Sequence, residues 1–404
     1  MKPKIIILMH YMELGGAEIS LIGLLGALDP AKVDVDLFVY SHQGPLMKFI
    51  PKWVNLLPEI KAYSMIERPL RDVIKCGEAR VAAGRIIAKF QHGAYARRRG
   101  PVETVDDSIY QYIGSCLAPV LPKINPWQEY DLCISFLIPH NYGLKKVRAR
   151  KKIAWIHSDY STVHVNARKE LPVWSAYDHI ASISPDVTTS FLKTFPSLSS
   201  KIIEIENILS PAFVLSRAEE LDVSKEMSGE LKLLTIGRFS KQKNFDNLPY
   251  IAAALVNSGL ETLRWYIIGY GDEDTVRKHI SKAGMENHVI ILGKKENPYP
   301  YIKACDIYVQ PSRYEGKSVT VREAQMHCKP VAVTAYPTAP SQIRHGVDGV
   351  IVPLDNEGCA QGLAHFIANE PLRNKIVSNL KELDFGNEAE VNKIYNLLNN
   401  DKWL

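Results

Sequence analysis

Short apolar runs alternate with amphipathic stretches along most of the chain, which predicts strands and helices in turn. Residues 4–10 are predicted to form a buried strand, because residues 5–9 are all apolar, and residues 17–28 fit the helix that follows. Further strands in the first half are predicted at residues 33–40, 130–137, 152–157, 179–184 and 201–206. The intervening residues 60–126 are predicted to be mostly helical or irregular.

The second half repeats this alternation more regularly. Strands are predicted at residues 231–236, 264–268, 289–292, 306–310 and 330–334, each followed by a helical pattern. Strand and helix in strict alternation favour a doubly wound parallel sheet with right-handed crossovers. The predicted fold class is therefore α/β.

The length of the chain predicts two such domains. A chain of 404 residues exceeds the roughly 250–300 residues that one hydrophobic core supports. The pattern weakens between about residues 209 and 230, so we predict a first Rossmann-like domain at 1–210, a linker at 211–230 and a second domain at 231–386. Residues 387–404 are predicted to form an amphipathic helix that packs back on the first domain.

Composition excludes several classes of protein. A chain that is 46% hydrophobic and 23% charged is typical of a folded globular protein. No apolar run approaches the ~20 residues needed to span a bilayer, and the start of the chain is interpreted as a strand, not as a signal peptide. Six scattered cysteines without metal-site spacing indicate reduced thiols of a cytoplasmic protein, with three disulfides as the less favoured alternative.

The net charge of +5 is unevenly distributed. The positive excess lies in the first half, at residues 97–99 and in the run 145–152. Such clusters bind anionic lipid, which predicts peripheral contact with the inner face of a membrane, although a solvated loop explains the runs equally well. A nucleic-acid partner is not predicted, because no recognition motif accompanies the charge.

Ligands of open α/β sheets bind beyond the carboxyl ends of the strands, so the loops there are the candidate sites. Gly15 and Gly16 lie between the first strand and helix, where glycine lets the backbone approach a phosphate near unpaired amides. Many Gly-Gly turns bind nothing, and Glu18 fits a partner of the helix dipole. In the second domain, Arg238 and Lys243 lie at opposite ends of one loop and are predicted to hold two phosphates.

The most informative loop precedes the helix predicted at residues 318–328. The amides of Gly316, Lys317, Ser318 and Val319 are placed to receive a diphosphate at the helix start. Glu315 before the loop and Glu323 in the helix are natural acceptors for sugar hydroxyls. A glycosidase pair fits less well, because eight helical residues span about 12 Å, more than the carboxylate separation of those enzymes.

Three weaker signals complete the survey. His157 follows a strand of the first domain, where it could bond a sugar, although a lone histidine is more often structural. The turn with Gly269 and Gly271 is a weak glycine motif. Two DxD-like triplets, at residues 34–36 and 272–274, fall within a predicted strand and at a helix start, so no metal is predicted.

Together these loops resemble family-four retaining glycosyltransferases. Glu315, seven residues and Glu323 match the EX7E signature of that family, alongside GGAE near the first helix and GRFSKQKN after the first strand of the second domain. The segment VAVTAYPTAPSQIRHGVDGVIVP after the helix also fits the family. The resemblance implies a GT-B fold, in which two Rossmann-like domains face each other across a cleft.

The resemblance also implies roles for individual residues. Glu315 would hold hydroxyls of the donor sugar and Glu323 those of the ribose. Arg238 and Lys243 would neutralise the diphosphate leaving group, assisted by the amides of Ser318 and Val319. His157 would contact the sugar at the transfer point. Lys294, after the third strand of the second domain, would bind near the base.

The implied activity is transfer of a hexose or N-acetylhexosamine from a UDP-sugar to a glycan acceptor, possibly lipid-linked, with retention and without a metal or other cofactor. Lys317 departs from the usual family pattern, as does Ser158 between His157 and Asp159, so the donor sugar is left open. Two other functions are compatible with the sequence: a GT-B UDP-sugar epimerase, and a catalytically silent module that binds a nucleotide or glycan.

Overall fold

A computed structural model describes residues 2–13, 15–102, 104–315 and 317–399. The chain divides into two compact units. Unit 1 comprises Met1–Leu209 and Asn387–Leu404, and unit 2 comprises Ser210–Gly386. Both units are α/β, as the alternation of apolar runs predicts.

Unit 1 begins with alternating strands and helices and inserts a helical region before its fifth strand. Its strands are β1 (Lys4–Met9), β2 (Asp34–Val39), β3 (Asn55–Leu56), β4 (Val105–Asp106), β5 (Tyr130–Ser135), β6 (Ala149–Ile156), β7 (Val163–His164), β8 (His179–Ser182) and β9 (Ile202–Glu204). Its helices up to residue 209 are α1 (Gly16–Ala27), α2 (Lys61–Ser64), α3 (Leu70–Lys75), α4 (Ala79–Arg99), α5 (Ser108–Leu117), α6 (Asn141–Lys146), α7 (Ala167–Ser175) and α8 (Pro185–Thr194), with 3₁₀ turns at Pro45–Phe49 and Pro196–Lys201.

The main sheet of unit 1 is parallel and has the order β3-β2-β1-β5-β6-β8-β9. The central strand β1 is apolar on both faces because helices cover both sides of such a sheet. Since β1, β5 and β6 are neighbours, the residues that follow them meet at one edge. That edge carries His10, His140 and His157.

Unit 2 follows the second half of the predicted pattern. Its strands are β10 (Leu231–Ile236), β11 (Leu263–Ile268), β12 (Val289–Gly293), β13 (Ile307–Gln310), β14 (Val331–Thr334) and β15 (Val350–Val352). Its helices are α9 (Pro211–Ala218), α10 (Leu248–Asn257), α11 (Glu273–Ala283), α12 (Tyr299–Ala304), α13 (Val319–Met326), α14 (Ala339–Gln342), α15 (Asn356–Ala368) and α16 (Glu370–Glu382).

The sheet of unit 2 is parallel, with the order β12-β11-β10-β13-β14-β15. Its core is built from the apolar side chains of the central strands, including Leu233, Trp265 and Val309, against helices such as α10 and α15. The loops after β12, β11, β10 and β13 therefore lie side by side along one edge. These loops carry Lys294, Arg238, Lys243 and Glu315.

Residues 211–230, predicted as a linker, lie in unit 2 and include α9, which contacts α12 and α13. The chain returns to unit 1 at a 3₁₀ turn, Glu388–Glu390, and helix α17 (Val391–Asn399). There Tyr395 OH accepts a hydrogen bond from the Asp29 amide at 2.7 Å, and Ile394 is fully buried.

Both DxD-like triplets have structural roles. Asp36 in β2 is buried and accepts hydrogen bonds from Tyr130 OH at 2.5 Å and Asn55 Nδ2 at 2.7 Å. Asp272 caps α11 by accepting from the Thr275 amide at 3.1 Å. Within the described ranges, no group of three or more His, Cys, Asp or Glu side chains could hold a metal ion.

All six cysteines are free thiols, three of them buried and three partly exposed. The disulfide alternative is therefore not realised in the structure. Among the helices that the structure describes, none has the length and apolar character required to cross a membrane.

Candidate functional site

The loops after β10 and β13 are joined by direct hydrogen bonds. The Arg313 guanidinium forms a two-pronged ion pair with Asp246, with distances of 2.7 and 2.9 Å. The Arg313 amide donates to the Gln242 carbonyl at 2.8 Å, and Gln242 Nε2 donates to the Tyr314 carbonyl at 3.2 Å. Planar Arg–carboxylate pairs of this kind fix geometry, so the two loops are held in one arrangement.

That arrangement brings together Lys243 and Glu315, two of the predicted site residues. Lys243 Nζ lies 2.6 Å from Glu315 Oε1, and the side chains are 21% and 6% exposed. The same oxygen accepts from Ser312 Oγ at 2.6 Å and Gln310 Nε2 at 3.0 Å. The carboxylate is thus held in place by three donors, one of which is the partly exposed ammonium of Lys243.

Arg238 is exposed at the start of the β10 loop, and its position depends on the glycine turn after β11. A Cβ on Gly269 would lie 1.9 Å from the Gly237 carbonyl oxygen, so only glycine fits there. Gly271 has φ +126°, and a Cβ there would meet the Phe239 carbonyl oxygen at 2.8 Å. The weak glycine motif therefore supports the neighbouring loop through close backbone packing.

The start of α13 differs from the predicted row of open amides. The Ser318 amide donates to Gln342 Oε1 at 3.0 Å, and Gln342 Nε2 returns a bond of 2.7 Å to the Ser318 carbonyl. A phosphate could use the Ser318 amide only after displacing Gln342. Val319 is the first residue of α13, Lys317 precedes it at intermediate exposure, and the predicted residue Gly316 lies outside the described residues.

Glu323 lies inside α13 and is buried, at 2% exposure. Its Oε1 accepts a hydrogen bond from Tyr299 OH at 2.9 Å. Burial raises the pKa of the Glu323 carboxyl to about 7, even though the bond from Tyr299 favours the ionised form. Burial therefore favours the neutral form of Glu323.

Lys294 lies at the far side of this edge, directly after β12. Its side chain is exposed, and its ammonium is 5.4 Å from the ring centroid of Tyr270. A cation over an aromatic face is a weak attraction at an exposed site. Lys294 follows β12, which is separated by β11 and β10 from β13, the strand that precedes Glu315.

The glycine pair of unit 1 divides into two different positions. Gly15 is the N-cap of α1, and a Cβ there would lie 2.2 Å from Glu18 Oε2. Gly16 has nothing within 4 Å of such a Cβ. Burial raises the pKa of Glu18, which lies in the first turn of α1. Gly15 thus has a packing reason to be glycine, whereas Gly16 has open space.

His157 follows β6 and packs between aromatic rings. Its ring is stacked on Trp155 with centroids 6.0 Å apart, and its centroid is 4.6 Å from that of Phe136. Both ring nitrogens are buried and have no hydrogen-bond partner among the residues the structure describes. Burial lowers the pKa of His157 to about 3, so the imidazole is neutral. A neutral ring with two unpaired nitrogens is able to exchange hydrogen bonds with a hydroxyl group.

Glu170 in α7 was not among the predicted site residues. It lines, together with His157, Trp155, Tyr160 and Trp174, a cavity of about 30 Å³. Tyr160 OH donates to Glu170 Oε1 at 3.1 Å, and burial raises the pKa of Glu170 to about 7. A single glutamate in an amphipathic helix gives no sequence signal for this position.

Part of the basic run at residues 145–152 is used inside unit 1. Lys152 Nζ donates to the carbonyl groups of Gly143, Leu144 and Val147, at 2.7–3.0 Å. Lys146 bonds the Leu121 carbonyl. These two lysines therefore stabilise loop carbonyls, whereas Lys145, Arg148 and Arg150 of the same run are exposed.

Comparisons with known proteins show what this chain is similar to. Residues 216–383 match the family described as glycosyl transferases group 1. LpsE of Rhizobium meliloti, a lipopolysaccharide core biosynthesis glycosyltransferase, is 26% identical over 146 residues, which is 36% of this chain and 42% of that protein. The Campylobacter jejuni N-acetylgalactosamine-N,N'-diacetylbacillosaminyl-diphospho-undecaprenol 4-alpha-N-acetylgalactosaminyltransferase is 29% identical over 160 residues, or 38% and 42% of the two chains.

A solved structure of Anabaena Alr3699/HepE in complex with UDP-glucose superimposes with a TM-score of 0.64 at 16% identity, over 97% of this chain and 98% of that chain. The fold is GT-B, with two parallel-sheet α/β domains. The alignments to the first curated relatives span 64%, 42% and 37% of those proteins, less than two thirds of their length. The family match lies in unit 2 and supports a group 1 glycosyltransferase.

Proposed function

We propose that this protein is a retaining glycosyltransferase that moves a hexose or N-acetylhexosamine from a UDP-sugar to a glycan acceptor. The observation that carries the proposal is the contact of Lys243 with Glu315, at 2.6 Å, on the edge of the unit 2 sheet. A cation for a diphosphate and a carboxylate for sugar hydroxyls lie side by side there. A nucleotide-sugar donor carries both a diphosphate and sugar hydroxyls, so both groups have a partner in it.

Each residue of this edge has a distinct part in the proposal. Arg238 and Lys243 bind the diphosphate and stabilise the negative charge that develops on it as the sugar leaves. Glu315 accepts hydrogen bonds from the hydroxyls of the donor sugar. Glu323 accepts hydrogen bonds from the ribose after the hydroxyl of Tyr299 has moved away from it. Lys294 lies toward the base.

The proposed reaction retains the configuration of the sugar. The bond between the anomeric carbon and the diphosphate oxygen breaks, and the bond to the acceptor oxygen forms on the same face. The acceptor hydroxyl gives its proton to the departing phosphate oxygen. The side chains supply positioning and charge stabilisation, so no metal or other cofactor is required.

We assign the acceptor to unit 1 and propose a lipid-linked glycan of cell-surface polysaccharide synthesis. Two similar proteins, named for lipopolysaccharide core biosynthesis and for a diphospho-undecaprenol acceptor, support this class of acceptor. His157 would bond a hydroxyl at the transfer point. In this proposal the enzyme works at the cytoplasmic face of a membrane, in peripheral contact with anionic lipid.

The proposal is tested by incubating the protein with a panel of UDP-sugars and following UDP release and sugar identity. Release of UDP with one or two donors, accelerated by a glycan acceptor, is the expected result. We expect Arg238→Ala and Glu323→Ala to weaken donor binding, and Glu315→Ala chiefly to lower turnover. Conversion of the donor to an epimer, tight binding without turnover, or unchanged kinetics in all three variants would contradict the proposal.

A further inference from the structure

Helix α4 presents apolar side chains to solvent. Ile86, Ile87 and Phe90 are 40%, 51% and 72% exposed. Their spacing of one, three and four residues places them on one side of the helix, together with the exposed Ala83. A surface helix of a globular protein usually turns polar residues outward, so this outward stripe requires an explanation.

The orientation of α4 is fixed by its opposite side. Val81, Gly84 and Ala88 are buried, and a Cβ on Gly84 would lie 2.7 Å from Leu117 Cδ2 in α5. Because α4 packs this closely on α5, it cannot rotate to bury the outward stripe. The exposed apolar side chains are a stable feature of unit 1.

Cations surround the stripe. Arg85 is turned inward, with a bond of 3.2 Å to the Met65 carbonyl, and Arg99 pairs with Asp106 at 3.1 Å. The exposed cations of α3 and α4 are Arg71, Lys75, Arg80, Lys89, Arg97 and Arg98. Two acidic residues, Asp72 and Glu78, lie in the same stretch of chain, so the surface is strongly basic.

We propose that the outward stripe of α4, with its flanking cations, docks on an anionic lipid bilayer. Phenylalanine and isoleucine enter the boundary between head groups and acyl chains, while lysine and arginine contact the anionic head groups. This inference rests on the proposed lipid-linked acceptor. The docking surface includes the charges of α4 at residues 97 and 98, and it does not include the basic run at residues 145–152.

A bilayer fits this surface better than a second copy of the chain. Two copies meeting through α4 would bring their cations together, and like charges placed opposite each other across an interface disfavour association. An apolar stripe inside a basic rim is instead the composition of helices that lie in a membrane interface.

The position of α4 within unit 1 agrees with this partner. Tyr95 OH is 3.0 Å from His164 Nε2, and Arg99 pairs with Asp106, so the carboxyl-terminal end of α4 lies against β4 and β7. Strand β7 follows the loop that carries His157. Docking through α4 therefore places the membrane on the unit that we assign to the acceptor.

The test is flotation of the full chain with two kinds of vesicle. One is made of phosphatidylcholine alone, and the other also contains about 30 mol% phosphatidylglycerol, an anionic lipid. We expect binding to the anionic vesicles only. Ile87→Ser/Phe90→Ser should weaken it at least tenfold, and Arg97→Gln/Arg98→Gln by roughly 25-fold, since each surface cation contributes about fivefold. Matched controls are Leu221→Ser, which removes another exposed apolar side chain, and Lys278→Gln/Lys282→Gln, which removes two exposed charges of α11.

Equal vesicle binding by wild type and Ile87→Ser/Phe90→Ser would overturn the inference. So would absence of binding to anionic vesicles, or a dimer in sedimentation that the same double variant dissociates. UDP release from a UDP-sugar with a water-soluble acceptor is measured in parallel. That activity should be the same in wild type and in the α4 variants. Its absence in the wild type would refute the proposed function and leave the docking result standing.

Discussion

Lys243 Nζ contacts Glu315 Oε1 at 2.6 Å although the residues are 72 positions apart. They meet because β10 and β13 are neighbours in the sheet and their following loops are tied by Arg313 and Asp246. Breaking this ion pair costs the fold little, because Glu315 keeps Ser312 and Gln310 as donors when Lys243 turns to a ligand. The lysine is therefore free to exchange a carboxylate for a phosphate.

Lys243→Met should weaken UDP binding by roughly 10- to 150-fold, the range that corresponds to one charged hydrogen bond of about 1.5–3 kcal/mol. Isothermal titration with UDP measures the change. Lys241→Met is the matched control, because Lys241 is an exposed side chain of the same loop. Equal losses in both variants would mean that general charge, not the position of Lys243, governs affinity.

Glu315→Gln should lower turnover on the order of 100-fold and leave the Kd for UDP within about twofold, because a carboxylate that holds the donor sugar does not touch the nucleotide. Steady-state UDP release and titration with UDP separate the two quantities. A large loss of UDP affinity with normal turnover would contradict the proposed place of Glu315.

Glu323→Gln should change how stability depends on pH. The folded pKa of about 7 lies above the usual value of 4.5, so the stability that this carboxyl contributes is fully present below pH 4.5 and is lost as pH rises through 7. The glutamine side chain keeps an acceptor for Tyr299 and does not titrate. The variant should gain about 2 kcal/mol over wild type between pH 5 and pH 8.

Hydrogen exchange of the α13 amides at the two pH values measures that gain within unit 2. Glu382→Gln, an exposed position at the end of α16, serves as the control and should show no pH-dependent difference. If the Glu323→Gln difference is the same at pH 5 and pH 8, the carboxyl does not titrate near neutrality.

Gln342→Ala should destabilise unit 2 by about 1–3 kcal/mol, since it leaves the Ser318 amide without its partner. Saturating UDP should remove most of this deficit, because a phosphate then takes the place of the glutamine. Denaturant unfolding with and without UDP provides the comparison. A deficit that UDP leaves intact would show that the Ser318 amide takes no part in binding.

Gly16→Ala tests whether the glycine turn of unit 1 meets a ligand. Nothing lies within 4 Å of the added methyl group, so the unfolding free energy should stay within about 0.5 kcal/mol of wild type. Turnover should nevertheless fall if a ligand approaches this backbone. Gly269→Ala, where the methyl group would meet a carbonyl oxygen at 1.9 Å, should instead lose stability and donor binding together.

The sequence predicts much of the fold because the strands are continuous apolar runs. Residues 231–236 match β10 at both ends, and the helix predicted at 318–328 is α13 with its ends shortened by one and two residues. Strand β15 was not predicted, since its three residues in a glycine-rich stretch give too short a signal. The helix α9 within the predicted linker was missed for a similar reason: its eight residues lie among Ser, Glu and Asp.

Contacts between distant side chains limit what the sequence predicts of the site. The pattern locates Glu315, Lys243 and Glu323, but the partner of the Ser318 amide is 24 residues away and carries no motif. The basic run at 145–152 appears as a surface in the sequence, whereas Lys152 in the structure bonds carbonyl groups of its own unit. Burial decides both cases, and burial follows from tertiary packing.

A crystal structure with an intact UDP-sugar or UDP bound tests the central claim most directly. The account predicts a diphosphate oxygen within hydrogen-bond distance of Lys243 Nζ, the ribose at Glu323 and, with the intact donor, sugar hydroxyls at Glu315. Nucleotide bound away from the loops after β10 and β13, or bound there with none of these three side chains in contact, would contradict it.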